Sequence, residues 1–290
     1  MFEGALTALV TPFRDDRVDE AALRAIVADQ IDGGIDGIVP CGTTGESVNL
    51  SDAEYAKVIE VVVSEARGRV PVIAGAGSAS TKHAVELAEI AKSKRADGLL
   101  VVVPYYNKPT QEGMFAHYSA MARAVPLPTL LYNIPGRTNV DMSLATLQRL
   151  ADVKSIVGIK ESTGNVLRSS DICAQFGDRF TVLSGDDALT LPIMAVGGQG
   201  VISVASNVAP KEVSKLVDLF RAGDLNGARK QHQRLRALVD AMFIETSPGP
   251  VKAAMAMRGL MTGELRLPMV TPGEASLARI RASLAELGLV

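Results

Sequence analysis

Eight short apolar runs alternate with amphipathic stretches, no Gly-x-Gly-x-x-Gly turn follows the first run, and the C-terminal stretch is wholly helical in pattern. Together these predict an α/β protein, a closed parallel (β/α)8 barrel with a C-terminal helical extension.

Residues 5–10 read as the first strand and residues 20–32 as an amphipathic helix. The second strand is 37–39. Ser51-Asp52-Ala53-Glu54 fits a capping box, so a helix runs from there to about 66. Strand three is 70–74 with a helix over 81–92, and strand four is 99–103 with a helix over 111–124. Strand five, 129–132, precedes a short helix at 143–151, and strand six, 156–160, precedes one at 165–176. Strand seven is 180–184, followed by a helix over 187–195, and strand eight is 201–204. An open doubly wound sheet would place its glycine-rich turn where Thr11-Pro12-Phe13 stands. The domain reading is therefore a catalytic TIM barrel over residues 1–208 and a helical region over 209–290. Helices in the latter span 210–221, 224–241, 251–261 and 274–287, and Pro248-Gly249-Pro250 and Pro268 break the run.

Composition narrows the function. The 290 residues suffice for a large core, and the net charge is only −2. Without a basic surplus or any tryptophan, a nucleic-acid partner is not expected. The N-terminus lacks a basic region before its short, broken apolar run, which is a first strand and not a signal peptide. No apolar stretch is long enough to span a bilayer, so no membrane partner is expected. Two distant cysteines, Cys41 and Cys173, fit a reduced cytoplasmic setting. The three histidines form no cluster, which argues against a metal site and against a serine–histidine triad.

Candidate chemistry gathers where the barrel strands end, the C-terminal face on which such barrels place their sites. Lys160 closes strand six. Alternation puts Ile156, Gly158 and Lys160 on one face, and Gly158 clears room beside the lysine. Burial among apolar strands disfavours an ammonium, and a neutral amine attacks carbonyl carbon to give a Schiff base. The alternative is a lysine that reaches past the strand end into water. Tyr132 closes strand five on the face that Leu130 shares. If strands five and six are neighbours, the Tyr132 hydroxyl approaches the Lys160 amine and can move protons. Arg137, five positions on, either clamps a substrate carboxylate or makes a surface salt bridge. After strand two, Gly42-Thr43-Thr44-Gly45-Glu46-Ser47 either aims backbone N–H groups and hydroxyls at a carboxylate or is a plain turn. After strand four come Tyr105 and Tyr106, suited to proton donation or to packing. Gly197-Gly198-Gln199-Gly200 precedes strand eight and reads as a tight turn at the opposite end. Cys41 reads as a small buried residue. Lys252 is a second lysine candidate, away from any strand end.

These motifs, in this order along essentially the whole chain, resemble the dihydrodipicolinate synthase family. The opening Thr-Ala-Leu-Val-Thr-Pro-Phe, the turn 42–47 and Pro104-Tyr105-Tyr106-Asn107 carry the likeness. So do residues 132–138, Gly158-Ile159-Lys160-Glu161, Ser184-Gly185-Asp186-Asp187 and Gly200-Val201-Ile202-Ser203. The resemblance implies a pyruvate-dependent class I aldolase acting in the diaminopimelate route to lysine. Lys160 would form the Schiff base with pyruvate. Tyr132, Thr44 and Tyr106 would relay protons, with Tyr106 reaching into a neighbouring subunit. Thr43 and Thr44 would bind the pyruvate carboxylate, and the Ile202 carbonyl and Gly185 would line the pocket. Arg137 would hold the carboxylate of L-aspartate 4-semialdehyde. No metal or organic cofactor is implied; a homotetramer built from tight dimers is, although dimers also occur in the family. Sister aldolases, such as N-acetylneuraminate lyase or a 2-keto-3-deoxy-sugar-acid aldolase, share the lysine and tyrosine but generally lack the arginine. A non-catalytic keto-acid-binding barrel is the rival of another class. The positions of Ala79 and His83 are usually Asn and Glu in lysine-inhibited members, and that of Tyr55 is often His or Trp. Weak or absent lysine feedback is therefore expected, and inhibition at submillimolar lysine would contradict it. Ser247 stands where Asn is common.

Overall fold

A computed structural model describes residues 2–290. The eight barrel strands are β1 Gly4–Ala8, β2 Gly37–Val39, β3 Ile73–Gly75, β4 Gly98–Val102, β5 Thr129–Asn133, β6 Ile156–Glu161, β7 Thr181–Ser184 and β8 Gly200–Ser203. Each is parallel to its neighbours. The hydrogen-bonded order runs β2, β1, β8, β7, β6, β5, β4, β3, and a parallel bridge between Ile38 and Val72 closes the ring.

The helices between strands are α1 Glu20–Asp32, α2 Asp52–Ala66, α3 Thr81–Ser93, α4 Gln111–Ala124, α5 Pro135–Thr138, α6 Leu144–Ala151, α7 Val166–Phe176 and α8 Thr190–Ala195. Side-chain caps start most of them, and the Ser51–Glu54 capping box forms in both directions. After β8 come α9 Pro210–Arg221, α10 Leu225–Met242, α11 Gly249–Met257 and α12 Glu274–Glu286. Helix α9 packs on β1 and α10, and α12 packs on α10 and α11.

Two apolar layers result. One lies between strands and helices. The other fills the barrel, where Phe2, Leu6, Leu100, Leu130, Leu183 and Ile202 interdigitate. The inner layer is what lets polar side chains gather only at the strand ends.

Several local expectations are corrected. Strand three starts at Ile73 and not at residue 70, because Pro71 has no N–H for a ladder and Val72 N–H is held by the Asp97 carboxylate at 2.8 Å. In β6 the strict alternation fails. A bulge between Thr129 and Leu130 pairs Leu130 with Gly158, so Val157 turns into the barrel and Ile156 outward. Gly158 also does other work than expected. A Cβ there would sit 2.3 Å from Thr181 O and 2.9 Å from Leu130 Cδ2, so its absence admits β7 and Leu130 and not the lysine. The stretch 187–195 divides into a 3-10 turn, Asp187–Leu189, and α8. Helix α11 starts at Gly249, earlier than the break at 248–250 suggested. Pro250 lies in its first turn, where a missing N–H costs nothing. Additional elements include α5, two 3-10 turns at Ser47–Asn49 and Ala205–Asn207, and a hairpin of Phe13–Arg14 with Arg17–Val18. Its two turn residues, Asp15 and Asp16, have φ of 52° and 58°, the conformation a two-residue hairpin needs.

Candidate active site

Lys160 is the penultimate residue of β6 and pairs in register with Tyr132 of β5. Both side chains point into the barrel mouth and are buried. Lys160 Nζ lies 4.3 Å from the centre of the Tyr132 ring, so the amine meets the ring face. The next residue, Glu161, points the other way by strand alternation. Its carboxylate is taken up by Arg168 Nε at 3.1 Å, Thr163 N–H at 2.9 Å and Asn133 Nδ2 at 3.4 Å. The nearest carboxylate in sequence is thus committed to bracing β5 and β6 from outside and leaves the lysine unpaired with it.

Gly185 follows β7 and donates its N–H to Glu161 O at 2.8 Å. A Cβ on it would lie 1.7 Å from Ser162 Oγ and 2.9 Å from Lys160 Cε. Only a bare backbone lets the lysine stem pass. Ile202 sits inside the barrel on β8, paired with Leu6. The turn beyond it is fixed by the buried Asp187 carboxylate, which accepts from Ser203 Oγ, Val204 N–H at 2.9 Å and Ala205 N–H at 3.2 Å. Burial pushes the Asp187 carboxyl pKa up, and those donors oppose the rise.

The turn after β2 presents Thr43 exposed and Thr44 buried. Gly45 N–H closes on Gly42 O at 3.1 Å and Glu46 N–H on Thr43 O at 3.1 Å, while the Thr11 hydroxyl donates to Gly45 O at 2.8 Å. Arg137 stands on α5, which Pro135 initiates. Its guanidinium donates to Ser247 O at 3.3 Å and not to a surface carboxylate.

Lys160, Tyr132, Thr43, Thr44, Arg137 and Gly185 line one cavity of about 60 Å³. A second, of about 250 Å³, shares Thr43, Tyr132 and Arg137 with it and opens past Tyr105 and Val48. The inner cavity lies over the lysine, and the outer one adjoins it at the guanidinium.

Tyr106 is not part of this constellation within one chain. It is 92% exposed at φ 68°. Cys41 is buried, and burial pushes its thiol pKa far up, which leaves it a small apolar residue. Lys252 is removed as a nucleophile, because its fully buried amine is paired with the Glu46 carboxylate. The 197–200 turn lies at the opposite end, where Gln199 Oε1 accepts from Val182 N–H at 2.7 Å. Sequence reading gave no role to Phe243, and none to Ser247 beyond its departure from a common Asn; both wall the inner cavity from the loop after α10. No local pattern signals them, since only tertiary packing brings them there. Among the described residues, no three His, Cys, Asp or Glu side chains are grouped to hold a metal ion, and no helix is long and apolar enough to cross a membrane.

Comparison with known proteins agrees along the full length. The 4-hydroxy-tetrahydrodipicolinate synthase of Geobacter sp. (strain M21) is 53% identical over 290 residues, covering 100% of both chains. The crystal structure of dihydrodipicolinate synthase from Aquifex aeolicus superposes with a TM-score of 0.97 at 47% identity, covering 99% of both chains. A chloride-inhibited dihydrodipicolinate synthase from Acinetobacter baumannii, complexed with pyruvate, gives 0.98 at 41% identity over 100% of both chains. The model of the dihydrodipicolinate synthetase family matches residues 1–287, and with the lysine-bearing barrel mouth described above this chain belongs to that family.

Proposed function

We propose that the chain condenses pyruvate with L-aspartate 4-semialdehyde to give 4-hydroxy-tetrahydrodipicolinate, the step that opens the diaminopimelate route to lysine. One observation carries the proposal: Lys160, Tyr132, Thr44 and Arg137 converge on one cavity at the C-terminal face of the barrel. The relatives' names support the product, and the pyruvate complex of one supports pyruvate as a substrate.

The Lys160 amine attacks C2 of pyruvate, and the carbinolamine expels water to leave a protonated Schiff base. Thr43 and Thr44 hold the pyruvate carboxylate with hydroxyls and turn N–H groups. Loss of a C3 proton gives the enamine, and C3 then forms the new bond to the aldehyde carbon of the semialdehyde. Arg137 orients that substrate through its carboxylate, to which a planar guanidinium can give two parallel hydrogen bonds. Tyr132, Thr44 and Tyr106 carry the protons between the lysine, the leaving water and the aldehyde oxygen. The amino group of the adduct then displaces Lys160 at C2, closing the ring and freeing the enzyme. The Schiff base is itself the electron sink, so the mechanism invokes no metal or organic cofactor. Tyr106 projects from its own chain, which supports a homo-oligomer in which it completes a neighbour's site. A homotetramer made of two dimers is the assembly we infer. Two unpaired cysteines, one buried and one half-buried, support a cytoplasmic setting.

Turnover with pyruvate and a panel of aldehydes tests the substrate. L-aspartate 4-semialdehyde should be preferred over N-acetylmannosamine and glyceraldehyde. Arg137→Ala should lower kcat/KM for the semialdehyde by roughly 10- to 100-fold, as expected for lost charge-assisted hydrogen bonds. Preference for a sugar aldehyde would keep Lys160 and overturn the substrate.

A further inference from the structure

Lys252 on α11 and Glu46 in the turn after β2 lie 206 positions apart in sequence, yet their side chains meet out of reach of water. Lys252 Nζ donates to Glu46 Oε1 and to Glu264 O at 2.8 Å, and it lies 4.2 Å from the centre of the Phe13 ring. Glu46 Oε2 accepts from Arg266 N–H at 3.1 Å and from Asn49 Nδ2 at 3.4 Å. Burial lowers the Lys252 pKa, and the Glu46 carboxylate opposes that and holds the ammonium.

On the other side of the pair is the turn. Glu46 has a left-handed backbone, φ 52°, which a side-chain-bearing residue adopts only where its surroundings impose it. Its N–H closes on Thr43 O, so the carboxylate that Lys252 holds belongs to the same hydrogen-bonded turn as Thr43 and Thr44. Both threonines line the cavity over Lys160. A buried ion pair adds little stability over apolar side chains of equal volume. What it adds is direction, because a carboxylate with three donors around it, Lys252 Nζ, Arg266 N–H and Asn49 Nδ2, has one orientation.

Resting on the function proposed above, we infer that Glu46 and Lys252 are positioning residues that hold the turn 42–47 where Thr43 and Thr44 receive the pyruvate carboxylate. Helix α11, outside the barrel, is thereby part of the pyruvate site.

The test uses the full-length chain as Glu46→Gln, Lys252→Met and the double variant E46Q/K252M, titrated with pyruvate under borohydride. Half-saturating pyruvate should rise on the order of tenfold or more in each single variant, as for other small misplacements of binding groups. KM for the semialdehyde should stay within a factor of about two, since Arg137 is untouched. The double variant, with no charge left unpaired, should fold with near-wild-type cooperativity and still show the raised pyruvate requirement. Folded variants with unchanged pyruvate saturation overturn the inference, as does a loss that falls equally on both substrates. If a single variant does not fold, the double variant decides. A wild-type chain that traps no pyruvate overturns the underlying function and this inference together.

Discussion

At the scale of residues, the site depends on what Gly185 lacks. Its missing Cβ leaves the path along which the Lys160 stem reaches the cavity. Gly185→Ala should leave the barrel folded but force Lys160 Cε aside. Pyruvate trapping should fall by about 10-fold or more, the scale expected when a nucleophile is displaced by a fraction of an ångström. Near-wild-type trapping in a folded variant would show that the lysine reaches the substrate by another route. Lys160 and Tyr132 were legible in the sequence because strand periodicity is a local property: both close apolar runs, and both fall on the inward face. Val157 was not, because the bulge that turns it inward arises from the register of β5 against β6. Arg137 was legible as a candidate, but the helix that aims it was not, since α5 is a single turn of four residues. Glu46 and Lys252 were seen separately, one in a turn and one in a helix. Nothing short of the fold pairs residues so distant along the chain.

At the scale of elements, the helix layer carries a pH-sensitive contact away from the chemistry. His117 of α4 is buried against α3, its Nδ1 2.9 Å from the Thr81 hydroxyl, and its Nε2 has no partner among the described residues. Burial lowers its pKa from 6.5 to about 4. The unfolded chain therefore takes up the proton first as pH falls below 6.5. The stability that the neutral imidazole brings is full above that pH and is lost as pH falls toward about 4. The loss amounts to at most ~3 kcal/mol. Urea unfolding should show this decline, and His117→Gln should flatten it. An unchanged pH slope in the variant would place the acid sensitivity elsewhere, for instance at Glu54, whose carboxyl pKa Arg266 pulls down to about 2. Elements with strong caps and clear periodicity, such as α1 and α2, were readable to within a residue or two. The 13–18 hairpin carried a readable sign, an Asp-Asp pair between short apolar-bearing segments, but its strands are too short for periodicity to show. Proline marked the start of α11, where it was taken for a break.

At the scale of the whole molecule, the barrel supplies the face and the rest of the chain completes it. Helix α11 braces the turn that bears the threonines, and Ser247 caps Arg137 from the loop after α10. Tyr106 is exposed and lines neither cavity of its own chain, so the proposed function makes a homo-oligomer part of the catalyst. Mixing Lys160→Ala with Tyr106→Phe subunits, each nearly inactive alone, should then restore activity. A mixed dimer holds one complete site, so random exchange should return roughly a quarter of wild-type turnover. No restoration after demonstrated subunit exchange would confine Tyr106 to its own chain. All of this presumes that Lys160 is the nucleophile, and one measurement addresses that directly. The full-length protein is reduced with borohydride in the presence of pyruvate, digested and mapped by mass spectrometry. A reduced pyruvyl adduct on Lys160 alone, absent in Lys160→Ala, is the predicted result. An adduct on Lys252 or another lysine, or none at saturating pyruvate, would contradict the account.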